Sequence, residues 1–342
     1  MKKILPPVWI LRIIAAIATI ASIAIFAPWL AAYVYLKPLP DTVQEEVSNA
    51  VNYELDGIIV YVDESGKLPA FYAAGWNDRK NKIPADPHSL FKIASISKLY
   101  DAVAVSKLVK SKRLSLDKTL ADYFPELVGR IENAEAITLR LMVQHRSGIP
   151  NYTDHPNYWT GSYKDTLELA LDLPANFKPN EDYGYSNTNY LLISRLIDKV
   201  VGYSHKQYIK EEILTPLGLN NTFGSMQDVD IDDIMSGYHV GYESDLKTDY
   251  NSLMVATAED VGKFLRALND GSVFAEGEQA IYSSIYVYDH NGLIPGYQSF
   301  AKYHQDIDTV IVLFVNTTNF DDFGLVSEVV FNRIAEILHE QH

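Results

Sequence analysis

The longest feature of the hydropathy pattern is an uncharged run over residues 13–36, 24 residues that follow Met1-Lys2-Lys3 and Arg12. At about 1.5 Å per residue, a helix of this length exceeds a hydrocarbon core of roughly 30 Å. Trp29, Tyr33 and Tyr35 fit an aromatic belt at its far end, and Lys37-Pro38-Leu39-Pro40 stops the helix. A cleaved signal peptide has a shorter apolar core, about 7–15 residues, followed by small residues at a cut site. Here Leu30 ahead of Ala31 and Ala32 makes a poor one, so the pattern predicts an uncleaved anchor.

Beyond the run, hydrophobic and polar positions alternate as in a water-soluble domain. Residues 57–63 and 70–76, joined by Glu64-Ser65-Gly66-Lys67, predict a β-hairpin. A long apolar helical pattern follows Ser95, through Leu99, Ala102, Val103 and Leu108. Helical patterns broken by Pro and Gly then cover 137–145, 163–173, 190–201 and 204–214, and another over 257–268 stops at Asn269-Asp270-Gly271. Residues 284–288, 298–303 and 309–316 predict three strands, and 325–339 an amphipathic closing helix. Strands at both ends with helices between predict an α+β fold. Its antiparallel sheet is formed by the N- and C-terminal parts of the domain and flanked by helices, with a mostly helical lobe inserted over about 112–250.

Charge then orients the chain. All charges before the apolar run are positive, which predicts a cytoplasmic tail over 1–12, a spanning anchor over 13–36, a linker over 37–46 and an exported domain over 47–342. The formal net charge of −15, with 44 acidic and 29 basic residues, argues against nucleic acid or an anionic membrane surface as the main partner. The absence of cysteine excludes disulfides, thiolate metal sites and a cysteine nucleophile.

Candidate chemistry begins at Ser95-Ile96-Ser97-Lys98. Residues three apart on a helix share a face, so the Ser95 hydroxyl and the Lys98 amine can meet. A serine is a poor nucleophile until a neighbouring base takes its proton, and a desolvated lysine is such a base. Ser115-Leu116-Asp117-Lys118 and Ser244-Asp245-Leu246-Lys247 have the same spacing, but only Ser95 precedes an apolar helix able to dry its first turn.

Tyr185-Ser186-Asn187 is the one Tyr-x-Asn among 23 tyrosines. A phenol near an ammonium can shuttle protons, and an amide can hold both a lysine and a substrate carbonyl. A helix cap at Asn187 is the plainer alternative. The third segment, His290-Asn291-Gly292-Leu293, is polar and Gly-bearing at a predicted strand end, where glycine lets a substrate approach the backbone. His239-Val240-Gly241 shares its form.

Together these segments resemble the serine β-lactamase and penicillin-recognising family, in particular its class C-like branch with D,D-carboxypeptidases, D-aminopeptidases and esterases. Residues 137–150 and Thr257-Ala258-Glu259-Asp260-Val261 add to the likeness, which covers nearly the whole exported part. The resemblance implies Ser95 as acylated nucleophile, Lys98 as base or electrostatic partner, and Tyr185 as proton shuttle. It implies that Asn187 holds the lysine and the substrate carbonyl. His290, Asn291 and Gly292 would line the substrate, and the backbone N–H groups of Ser95 and Leu293 would form an oxyanion hole. It places His145 in the scaffold and implies no metal or organic cofactor.

Two departures matter. No Lys-x-Gly occurs in the chain, which counts against a dedicated β-lactamase, and Tyr250-Asn251-Ser252-Leu253-Met254 stands where relatives often carry paired glycines. The expected activity is therefore a membrane-anchored serine hydrolase for an amide or ester, such as a D-alanyl peptide or carboxylic ester. A penicillin-binding or ligand-sensing protein with little turnover, or a β-lactamase, is the alternative. The expected partners are a small-molecule or peptide substrate and the membrane.

Overall fold

Thr309–Val315 is apolar at almost every position and buried along its whole length, so both of its faces need cover. It lies at the centre of a six-stranded sheet in the computed structural model, which describes residues 8–161, 164–249, 252–320 and 324–342. In chain order the strands are β1 (Gly57–Glu64), β2 (Ala70–Asp78), β3 (Ile83–Pro84), β4 (His290–Ile294), β5 (Tyr297–His304) and β6 (Thr309–Val315). Their spatial order is β3-β2-β1-β6-β5-β4, and every pairing is antiparallel. The predicted hairpin and the two predicted C-terminal strands over 298–303 and 309–316 are therefore neighbours in one sheet, closed by the two ends of the domain.

The sheet separates two cores. Ile58, Val60, Ile311 and Leu313 face one side, with helices α2 (Trp29–Leu36), α3 (Val43–Ala50) and α7 (Leu325–Glu340). Ile59, Tyr61, Val310, Val312 and Phe314 face the other, with α4 (Ser97–Lys110), α5 (Asn187–Val201) and α6 (Ala258–Asp270). Thr257 caps α6 by accepting from Asp260 N, and Gly271 ends it in a left-handed conformation. Gly262 of α6 lets the helix lie on Tyr61, since a Cβ there would sit 2.2 Å from the ring. Most of the intervening lobe is short helices and turns.

Three predicted elements differ. Residues 284–288 are not a strand: helix Glu278–Ser283 precedes them, Tyr286 N donates back to Tyr282 O, and the Tyr282 hydroxyl donates to Val287 O. Local hydrogen bonds win over the apolar alternation, and the strand begins at His290. In the predicted helix 163–173, Tyr163 lies outside the described residues; a single 3-10 turn, Thr166–Ala170, is capped by Asp165. The apolar run over 13–36 is not one helix. Helix α1 (Val8–Phe26) ends before Pro28, which has no N–H to continue it, and α2 restarts at Trp29 with Ala31 and Val34 packed into the domain. The described residues hold one helix long and apolar enough to cross a membrane, Val8–Phe26, exposed along its length.

The predicted linker is likewise packed. Arg333 of α7 donates from Nε and Nη2 to the two carboxylate oxygens of Glu46, at 2.8 and 3.0 Å, and from Nη1 and Nη2 to the carbonyls of Lys37 and Pro38. Glu46 is completely buried, so this pair clamps the segment that follows α2 onto the C-terminal helix. Breaking a buried pair leaves a charge without compensation and costs about 3–5 kcal/mol. Arg333→Met is expected to lower stability by that amount in urea melts of the full chain in detergent. Adding Glu46→Gln is expected to recover part of the loss.

Candidate active site

Large, fully buried side chains hold the turn that carries Ser95. Phe91 and Lys92 pair with Val255 and Ala256, and Ile93, Ile96, Leu99 and Tyr100 are all buried. Tyr100 stacks on Phe264 of α6 with ring centroids 3.7 Å apart. Ala94 has φ +47°, a left-handed conformation unusual for a residue with a Cβ, so the backbone is strained one residue before Ser95. Ser95 then sits in the 3-10 turn Ala94–Ile96, with α4 starting at Ser97.

Lys98, 6% exposed, places Nζ 3.1 Å from Ser95 Oγ and donates to Asn187 Oδ1 at 2.9 Å. The Tyr185 hydroxyl lies 2.7 Å from the same Ser95 oxygen. The structure thus gathers Ser95, Lys98, Tyr185 and Asn187, residues up to 92 positions apart in the sequence, at one point. Ser115 and Ser244, which share the spacing, take no part: Ser115 N bonds Tyr123, and Asp245 beside Ser244 bonds Gly237 N.

Tyr185 and Asn187 owe their positions to a second loop that the sequence reading left in the scaffold. Gly184 N donates to His145 O, Ser186 N to His145 Nδ1, and both the backbone N and Nδ2 of Asn187 to Asn151 Oδ1. The His145 ring stacks on Tyr185, with centroids 4.4 Å apart and planes at 28°. Asn151 was missed because it lies just past the segment that carries the resemblance, with no pattern of its own. Its polarity after Ile149-Pro150 was the available signal.

Burial, then the charges of Lys98 and His290, push the His145 pKa down to about 3. His145 is therefore neutral in the folded protein and titrates near 6.5 when unfolded. Its contribution to stability is full above pH 6.5 and is lost as pH falls toward 3, amounting to about 2 kcal/mol by pH 5. His290 adds to the same trend, because burial lowers its pKa as well. The urea midpoint is expected to drop between pH 7.5 and 5. In His145→Asn, which keeps an acceptor for Ser186 N–H without titrating, the drop is expected to shrink.

Strand β4 closes the site as the sheet edge. Gly292 approaches the Ser95 turn so closely that a Cβ would lie 2.4 Å from both Ile93 O and Ser299 Oγ. The His290 ring is 6.4 Å from that of Tyr185 and stacks on Tyr286 at 6.0 Å, while Nδ1 donates to Asn291 O. The motif opens the strand, which begins at His290. Pleating sends alternate side chains to opposite faces. Gly292 pairs with Ser299, which faces Ile93, so Asn291 and Leu293, paired with Phe300 and Gln298, project to the other face and are exposed. Tyr250 and Asn251 of the loop singled out in the sequence lie outside the described residues. Its end, Met254, accepts from Ile93 N, and buried Lys92 donates to the carbonyls of Leu246 and Asp249.

A helix-start serine touched by a buried lysine and a tyrosine, beside the edge of an antiparallel sheet, is the architecture of the β-lactamase-like serine hydrolases. This chain belongs to the Beta-lactamase family, whose sequence profile matches residues 39–328. It is 25% identical over 300 residues to the putative penicillin-binding protein PbpX of Bacillus subtilis (strain 168), spanning 81% of this chain and 74% of that protein. To penicillin-binding protein 4* of the same strain it is 28% identical over 170 residues, spanning 48% of this chain and 37% of that one. The chain thus spans little more than a third of that relative's length. In fold it is similar to the D-amino acid amidase from Ochrobactrum anthropi SV3 in complex with D-phenylalanine, with a TM-score of 0.76 at 22% identity, covering 88% of this chain and 98% of that one.

Proposed function

We propose that this protein is a serine hydrolase that forms an acyl-enzyme at Ser95 on an amide or ester, such as a D-alanyl peptide or a carboxylic ester. Helix α1 anchors it with the catalytic domain outside the cell membrane. The observation that carries the reading is the contact of Ser95 Oγ with both Lys98 Nζ and Tyr185 OH. In acylation the Ser95 oxygen bonds the substrate carbonyl carbon and gives its proton to Lys98 or to ionised Tyr185. The leaving nitrogen or oxygen departs with a proton returned through Tyr185. Water then attacks the ester, and Ser95 recovers its proton by the reverse path. The Ser95 and Leu293 N–H groups hold the developing oxyanion, while Asn187 fixes Lys98 and the substrate.

His290 favours a peptidase or esterase over a β-lactamase. Its imidazole, with a pKa pushed below the usual value by burial, supplies no permanent cation for a β-lactam carboxylate. The D-amino acid amidase similarity in fold points the same way, toward small amides. The test is to incubate the full chain in detergent with a fluorophosphonate probe, a fluorescent penicillin, D-amino-acid amides, aryl esters and a chromogenic cephalosporin. Fluorophosphonate labelling with rapid turnover of an ester or D-amide is expected. Stable penicillin labelling without turnover would indicate the binding or sensing alternative, and an unlabelled wild-type chain would refute a serine nucleophile.

A further inference from the structure

We propose that His304, Asp306 and His339 form a zinc site that staples the C-terminal helix to the β5–β6 turn. One ligand atom from each residue lies within 4.8 Å of the other two. Two imidazoles and a carboxylate suit Zn2+, whose bonds of about 2.0–2.2 Å set tetrahedral ligands about 3.3–3.6 Å apart, so His339 and Asp306 would open slightly to admit it. The three residues come from different elements: the end of β5, the 3-10 turn Gln305–Ile307, and the last turn of α7.

The hydrogen-bond arithmetic of His339 points to a cation. Its Nδ1 lies 2.6 Å from the carbonyl of Ala335, and its Nε2 lies 2.7 Å from Asp306 Oδ2. Both neighbours only accept, and a neutral imidazole has one N–H to give. With that N–H committed to Ala335, a proton or a metal ion must sit between Nε2 and the carboxylate. His304 makes the metal the better fit. Its ring lies 5.4 Å from that of His339, and its Nε2 is buried with no hydrogen-bond partner, so an ion here would satisfy a nitrogen that a proton on His339 leaves alone. The Ala335 carbonyl does what an outer-shell partner does at zinc centres, fixing the tautomer so that Nε2 presents its lone pair. The carbonyl end of α7 adds negative potential. Lys302 opposes the ion as the nearest like charge on the same strand, but it projects over the Phe331 ring.

The site is separate from the proposed chemistry. His304 follows Ser299 by five positions along β5, about 17 Å at strand rise, and faces α7 with Phe300 rather than the Ser95 turn. Its role is to join elements: α7 also carries Arg333, which clamps the segment after α2.

The full chain, freed of any affinity tag and stripped with chelator, is equilibrated with Zn2+, and bound metal is counted by mass spectrometry. One zinc per chain is expected, with a thermal midpoint that rises with zinc and not with Mg2+; free zinc at a hundredfold excess over Kd shifts the folding equilibrium about hundredfold. His339→Gln is expected to weaken binding at least about hundredfold. Asp306→Asn, at an exposed position that spares the fold, is expected to weaken it at least tenfold. No zinc on the wild-type chain at micromolar free metal, or uptake unchanged in the double variant, overturns the proposal. Ester or amide turnover is independent of either result.

Discussion

Replacing Ser95 with alanine is expected to abolish fluorophosphonate labelling and to lower kcat/KM on any amide or ester substrate by about 10⁴–10⁶-fold, the range for losing an activated serine. The geometry gives the reason. Ser95 Oγ is the atom on which Lys98 Nζ and Tyr185 OH converge, and neither Ser97 nor Ser299 replaces it: Ser97 lies past the turn, and Ser299 Oγ is committed to Ile93 O. Lys98 keeps its bond to Asn187 in the variant, so the pocket stays assembled and the thermal midpoint is expected to change little. Turnover that survives in a well-folded Ser95→Ala protein would remove the acyl-enzyme from the reaction.

Lys98→Ala is expected to cost about 10²–10⁴-fold in kcat with folding retained, the usual worth of a positioned proton acceptor. The more telling variant is Lys98→Arg. Arginine keeps the positive charge and can reach Asn187 Oδ1, but it does not deprotonate in proteins and cannot accept the serine proton. If Lys98 acts as base, arginine fails as badly as alanine in single-turnover acylation. If the lysine serves only as a fixed cation beside ionised Tyr185, arginine restores much of the rate and Tyr185→Phe carries the full loss. Measuring acylation rates for the three variants separates these roles.

Much of this site is legible in the sequence, because its motifs join a rare residue order to a local pattern. Ser95 and Lys98 stand one helical turn apart ahead of a buried apolar helix, and Tyr185-Ser186-Asn187 is unique among the tyrosines. Asn151 and the stacked His145 were harder to read. Their part in the site is to hold the Tyr185–Asn187 segment through bonds that cross more than 30 residues, and such contacts leave no periodicity. The face that Asn291 takes on β4 is set by the strand's register, which no local pattern states. The zinc candidate is fainter still: His304 and His339 lie 35 positions apart and meet because α7 packs on the end of β5.

The linear chain by itself determined the apolar leader, the β-hairpin, the two C-terminal strands that join it in the sheet and the pairing of Ser95 with Lys98. Each depends on side chains within a few residues of one another, where spacing dictates which faces coincide. Folding in three dimensions decided where the leader breaks and packs, which face of β4 looks into the cleft, and which distant loop holds Tyr185. Those outcomes rest on burial and hydrogen bonds between segments far apart in sequence, and their energies exist only once the segments are in contact.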